Sequence, residues 1–174
     1  MLHQLVRFFR PSPQTQYAYA LYAKINEEAR RVDFFEKMGA PDTLDGRFEL
    51  ILLHMFLYLH ALKKRDADTQ ELQRLLIEAF FEDMDRSVRE MGIGDTGVGR
   101  RVKAMANAFY GRINAFEKAI NDAEELQNAL LKNTFATCEV KPNDSMLLLW
   151  VAYIQNRLQD LLAQPIENPD FLTK

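Results

Sequence analysis

Hydrophobic residues recur every third or fourth position along most of the chain, the period of helices that bury one face. From Thr15 to Val32 they fall at Ala18, Leu21, Tyr22, Ile25, Ala29 and Val32, which predicts a first helix. Phe34, Phe35 and Met38 follow, before Gly39, Pro41 and Asp42 break the pattern. A second helix is predicted from Asp42 or Thr43 to about Lys64. It is apolar almost all round between Leu50 and Leu62, which places it at the centre of a bundle. Asp68 opens a third helix with Glu71 as its capping-box partner. Its stripe is Leu72, Leu75, Leu76, Ala79, Phe80, Met84 and Val88, and it stops at Met91–Gly92, where glycine can take a left-handed turn. A fourth runs from about Gly97 to Asn121 on Val98, Val102, Met105, Phe109, Ile113, Phe116 and Ile120. A fifth covers Asp122 to Phe135, and a sixth opens at Pro142 to Asp144 and ends near Ala163. Ahead of these, LHQLVRFFR at positions 2–10 sets Leu2, Leu5, Val6 and Phe9 on one face beside Arg7 and Arg10. It reads either as a short helix docked on the domain or as a membrane-surface contact. The prediction is an all-α chain: one globular bundle of about six to seven helices, with residues 1–14 as an N-terminal amphipathic segment, 15–164 as the helical domain and 165–174 as a flexible tail.

Composition agrees with that pattern. In 174 residues, Leu and Ala number 41 against 22 for Val, Ile and Thr, a bias toward helix over sheet. Only seven glycines are present, and four of them lie between Gly92 and Gly99, which marks one special turn. The formal net charge of −3 excludes a strongly basic nucleic-acid binder. One cysteine, Cys138, allows no internal disulfide and fits a reducing compartment. The longest apolar run, Leu50 to Leu62, falls short of the roughly 20 residues a bilayer requires.

Tests for chemistry are mostly negative. A carboxylate-bridged di-metal bundle needs Glu three residues before His, and Ile51 and Leu57 stand there before His54 and His60. No phosphate-binding glycine loop with its lysine is present, and Cys138 has no histidine near it in sequence. No metal or cofactor is expected, and His54 reads as a hydrogen-bonded core histidine. The segment FFEDMDRSVREMGIGDTGVG, Phe80 to Gly99, is the exception. Asp83 falls inside the apolar stripe of its helix, and a buried carboxylate needs a partner. That partner is either backbone N–H groups or one of Arg112, Arg47 and His54. The arrangement reads as a buried polar network that fixes helix register, as a polar groove for a partner, or as an acid–base site built on Asp83 and Arg112. Asp95 or Thr96 is expected to cap the next helix, whose N-terminus could also receive an anion. Arg100, Arg101 and Lys103 form the strongest basic cluster, either a solvated face or a contact for RNA phosphate or anionic lipid.

The order RFELILLH (Arg47 to His54), FFEDMDRSVREMGIGDTGVGRRVKAM (Phe80 to Met105) and AFYGR (Ala108 to Arg112) resembles the ubiquinol–cytochrome c chaperone family over about Tyr17 to Ile120. Asp83, Asp85, Arg89, Glu90, Gly92, Gly94, Asp95, Tyr110, Gly111 and Arg112 match its signature, with Arg100 and Arg101 beside them. The resemblance implies a non-enzymatic, all-helical assembly chaperone for respiratory complex III, in the compact form of bacterial members. It implies a hydrophobic membrane-protein client, newly made cytochrome b, and for mitochondrial members a ribosome contact. It implies a cytoplasmic location, peripheral at the inner membrane (the matrix side in a eukaryote). An amphipathic client segment would need apolar anchors, and Phe34, Phe35, Phe80, Phe81, Phe109 and Tyr110 are the aromatics that could supply a groove. The rival reading is an RNA- or ribosome-binding module using residues 100–103.

Overall fold

The structure, a computed structural model, describes residues 11–65, 69–139 and 141–164. The predicted segment at residues 1–10 with its membrane contact, Asp68 and the tail from 165 lie outside these residues. The described residues form six helices of ten residues or more and one short helix. In chain order they are α1 (Pro13–Ala29), α2 (Val32–Glu36), α3 (Leu44–Lys63), α4 (Gln70–Glu90), α5 (Asp95–Ala119), α6 (Ala123–Lys132) and α7 (Asp144–Ala163).

Side-chain caps start four of the helices. Ser12 accepts from the Thr15 amide, with Pro13 in the first turn of α1. Thr43, Asp122 and Asn143 likewise accept first-turn amides of α3, α6 and α7. Two predicted starts differ. The cap position of α4 is Thr69, whose hydroxyl donates instead to the Leu62 carbonyl at 2.9 Å and so ties α4 to the end of α3. Helix α5 begins at Asp95 with Gly94 as its cap, so neither Asp95 nor Thr96 caps it. Gly92 takes the predicted left-handed conformation (φ +74°) that stops α4.

Helix α3 is the axis of the bundle. Every residue from Glu49 to Leu62 is buried, with α1, α5 and α7 packed around it. The most extensive helix pair is α1 with α4. Phe34 of α2 is buried, stacked on Trp150 with ring centroids 5.1 Å apart, and the Trp150 indole N–H donates to the Met38 carbonyl at 2.8 Å. A buried polar cluster joins α1, α3 and α7. Arg157 grips the Glu28 carboxylate, with one contact at 2.8 Å. The Tyr58 hydroxyl donates to Glu28 at 3.0 Å. The Tyr153 hydroxyl lies 3.0 Å from Glu28 and 2.7 Å from His54 Nε2. Burial alone would raise the Glu28 carboxyl, but the hydrogen bond and positive charge of Arg157 and the hydrogen bond from Tyr153 hold it below its ordinary value.

Candidate functional site

A cleft of about 480 Å³ opens on one side of the bundle, within the range of roughly 300–1,000 Å³ common for ligand pockets. The first two turns of α3, the last two turns of α4 and the middle of α5 form its walls, with Arg30 and Thr137 at the edge. Phe48, Ile51, Met84 and Met105 supply its apolar lining. Phe48 is half-buried and stacks on the fully buried Phe80, ring centroids 6.4 Å apart, so the lining continues into the core. Leu44 and Met91 also line the cleft, at 58% and 43% exposure. Large apolar side chains open to solvent around a concave surface mark a place where another apolar surface can land.

The polar side chains of the wall are mostly committed to partners. Arg112 forks onto Glu49, with Nε donating to Oε2 at 3.0 Å and Nη2 to Oε1 at 2.7 Å. This pair joins α5 to α3, and Glu49 raises the pKa of the Arg112 guanidinium. Asp83 accepts from the Tyr22 hydroxyl at 2.8 Å and from Arg86 one turn on. Burial, then that hydrogen bond, pushes the Tyr22 hydroxyl well above its ordinary value. Arg47 binds Asp42 at 2.7 Å. Arg30 and Arg101 make no side-chain hydrogen bond or ion pair among the described residues.

The expected partners of Asp83 are therefore wrong: Arg112 serves Glu49, Arg47 serves Asp42, and His54 faces the Leu50 carbonyl and Tyr153. With its carboxylate satisfied by Tyr22 and Arg86, and Arg112 tied to Glu49, Asp83 and Arg112 form no acid–base pair. The rest of the signature divides. Asp85 binds Arg89, and Arg89 reaches on to Asp95 at 3.2 Å, strapping the glycine turn between α4 and α5. Glu90 is exposed, beside the turn made by Gly92 and Gly94. Arg100, Lys103, Tyr110 and Gly111 lie exposed along α5 outside the cleft, whereas Arg101 lines it. The aromatics expected to form a groove do not. Phe34, Phe80 and Phe109 are fully buried, Phe35 and Phe81 pack against the core, and Tyr110 stands in solvent. The cleft instead uses Leu44, Phe48, Met84, Met91 and Met105. Leu44 was the residue open to sequence reasoning: an apolar side chain directly after a Thr cap, on the same helical face as Phe48 and Ile51 at i+4 and i+7.

A second cavity of about 180 Å³ lies between α1, the end of α3 and α7. Its Arg65 is committed to the Leu161 and Gln164 carbonyls at the end of α7. Among the described residues no cluster of His, Cys, Asp and Glu could hold a metal, and no helix is long and apolar enough to cross a membrane.

Comparison with known proteins follows the same elements. Residues 36–171 match the family described as Ubiquinol-cytochrome C chaperone, starting later and running further than the resemblance read over 17–120. The chain is 27% identical over 146 residues to ubiquinol-cytochrome c reductase complex assembly factor 1 of Mus musculus, covering 83% of this chain and 48% of that protein. The Xenopus laevis protein of the same name is equally similar, with 72% of its length covered. The chain thus spans about half the length of the mouse relative. The crystal structure of the Cbp3 homolog from Brucella abortus superposes with a TM-score of 0.75 at 35% identity, covering 96% of this chain and 91% of that one. Nothing in these relatives supports the RNA-binding reading.

Proposed function

The chain belongs to the ubiquinol-cytochrome C chaperone family, and from that premise we propose that it is a non-enzymatic chaperone in the assembly of respiratory complex III. Its client is newly made cytochrome b or a similarly hydrophobic subunit, met at the cytoplasmic face of the inner membrane. The observation that carries this reading is the cleft between α3, α4 and α5, with an apolar lining backed by the core and Leu44 and Met91 open at its mouth. Such a groove accepts an apolar or amphipathic segment through side chains at helical spacing.

The energetics suit a transient holder. Two or three client side chains buried there contribute about 1.5–3 kcal/mol each. Ordering the segment and losing its free motion offsets several kcal/mol of that. The net is at most a few kcal/mol, weak and reversible binding in roughly the millimolar range, which an assembling partner with a larger interface can displace.

The test is genetic and spectroscopic. Membranes from a strain lacking this gene are compared with a complemented strain by reduced-minus-oxidised haem-b spectra and ubiquinol–cytochrome c reductase activity. A selective loss of both signals, restored by the gene, is expected. Unchanged cytochrome b under growth that requires complex III overturns the proposal.

A further inference from the structure

The charges around the cleft are not balanced. Of the carboxylates that line it, Glu49 is neutralised by Arg112 and Asp83 is held by Tyr22 and Arg86. Asp45 lies in the first turn of α3, where the positive end of the helix dipole offsets about half of its charge. Of the cations, Arg47 is paired with Asp42. That leaves Arg30, at the end of α1, and Arg101, on α5, as unpaired guanidinium groups of one apolar cleft among the described residues. A guanidinium beside an apolar surface is suited to a carboxylate, which it can bind through two parallel hydrogen bonds.

We propose that the segment held in this cleft is an apolar stretch that carries a carboxylate, an Asp or Glu at the edge of its apolar face, received by Arg30 and Arg101. This rests on the cleft being the client site. Shape favours a protein segment over a bilayer. The apolar lining is recessed between three helices, where inserted side chains reach it and a flat lipid surface does not. Hydrophobic segments that enter a membrane rarely carry a charge inside it. Recognition of a carboxylate would therefore select a segment from the edge of a spanning helix or from a loop, and leave fully apolar spans to the membrane.

The test uses the full chain and a fluorescent 18-residue amphipathic helical peptide, with Leu and Phe on one face and one Asp at its edge. Two control peptides carry Asn or Lys at that position. The Asp peptide is expected to bind roughly three- to tenfold tighter than the Asn peptide, and the Lys peptide more weakly than either. The gain should shrink at high salt and vanish in the double variant Arg30→Gln/Arg101→Gln. Equal binding of the Asp and Asn peptides, or a gain that survives in that variant, overturns the proposal.

Ala104→Trp separates this from failure of the cleft itself. Ala104 is exposed and lines the cleft, so the indole fills the groove without entering the core. If this variant abolishes binding while the arginine changes do nothing, the carboxylate proposal falls and the client site stands. If it binds all three peptides as before, or if the unaltered chain binds none of them, both fall. A third arm uses vesicles of phosphatidylcholine and phosphatidylglycerol. Vesicle binding lost in the arginine double variant, with peptide binding intact, assigns the arginines to the membrane and also overturns the proposal.

Discussion

His54 is fully buried, with Nδ1 2.7 Å from the Leu50 carbonyl and Nε2 2.7 Å from the Tyr153 hydroxyl. Facing a carbonyl, Nδ1 carries the proton. The single Tyr153 proton serves either His54 or Glu28 at any moment. Burial pushes the His54 pKa from 6.5 down to about 4, against the upward pull of the Leu50 carbonyl and Glu28. The folded value is the depressed one, so the neutral ring contributes its full stability above pH 6.5 and loses it progressively toward pH 4. That is on the order of 3 kcal/mol. Urea midpoints measured across this window should fall with acidification, and His54→Gln should flatten the slope between pH 6.5 and 4. Two glycines make an opposed pair. A Cβ on Gly46 would sit 2.0 Å from the Pro41 carbonyl oxygen, whereas one on Gly111 meets nothing within 4 Å. Gly46→Ala should therefore destabilise by on the order of 3 kcal/mol. Gly111→Ala, on an exposed stretch in the body of α5, should stabilise by about 0.5–1 kcal/mol. Thermal melts of the two variants check both signs.

Among the elements, the cleft exists because α3 and α5 are held together beneath it. The Arg112–Glu49 fork does this beside the lining, with the side chains 26% and 11% exposed. Removing either charge leaves the other half-buried without its partner. Glu49→Gln and Arg112→Gln should each cost on the order of 2–3 kcal/mol, and the double variant less than their sum. A double-mutant cycle in denaturant measures that coupling. An additive result would mean that α3 and α5 are held by apolar packing alone. The helices themselves were legible in sequence. The stripes on α4 and α5 and the left-handed Gly92 stop fall where the spacing places them. The partner of Asp83 was not legible, because reasoning from a hairpin sets α4 against α5 and leaves out α1. It is α1 that packs most extensively on α4 and brings Tyr22 to Asp83 across a separation of 61 residues.

For the whole molecule, the proposed client site puts exposed apolar area at the mouth of the cleft. Leu44→Ser and Met91→Ser change side chains that the core does not need, so unfolding free energy should stay within about 0.5 kcal/mol of the unaltered chain. The same variants, introduced into the gene-deletion strain, should restore less haem-b signal and less reductase activity than the unaltered gene. Full restoration would show that client capture does not use this mouth. By itself the sequence determined an all-α bundle, a central helix at Leu50–Leu62, a glycine stop after α4 and the family signature. All of these are local: helical period, caps and turn residues act over three or four positions. Tertiary structure alone decided that Met84 and Met105, spaced as core residues, line an open cleft. It also decided that Phe34, Phe80 and Phe109 fill the interior, and that Arg30 and Arg101 make no side-chain hydrogen bond or ion pair among the described residues. Periodicity tells which face of a helix is apolar. Whether a neighbour covers that face along its whole length depends on how helices far apart in sequence cross, and between α3, α4 and α5 the covering stops short.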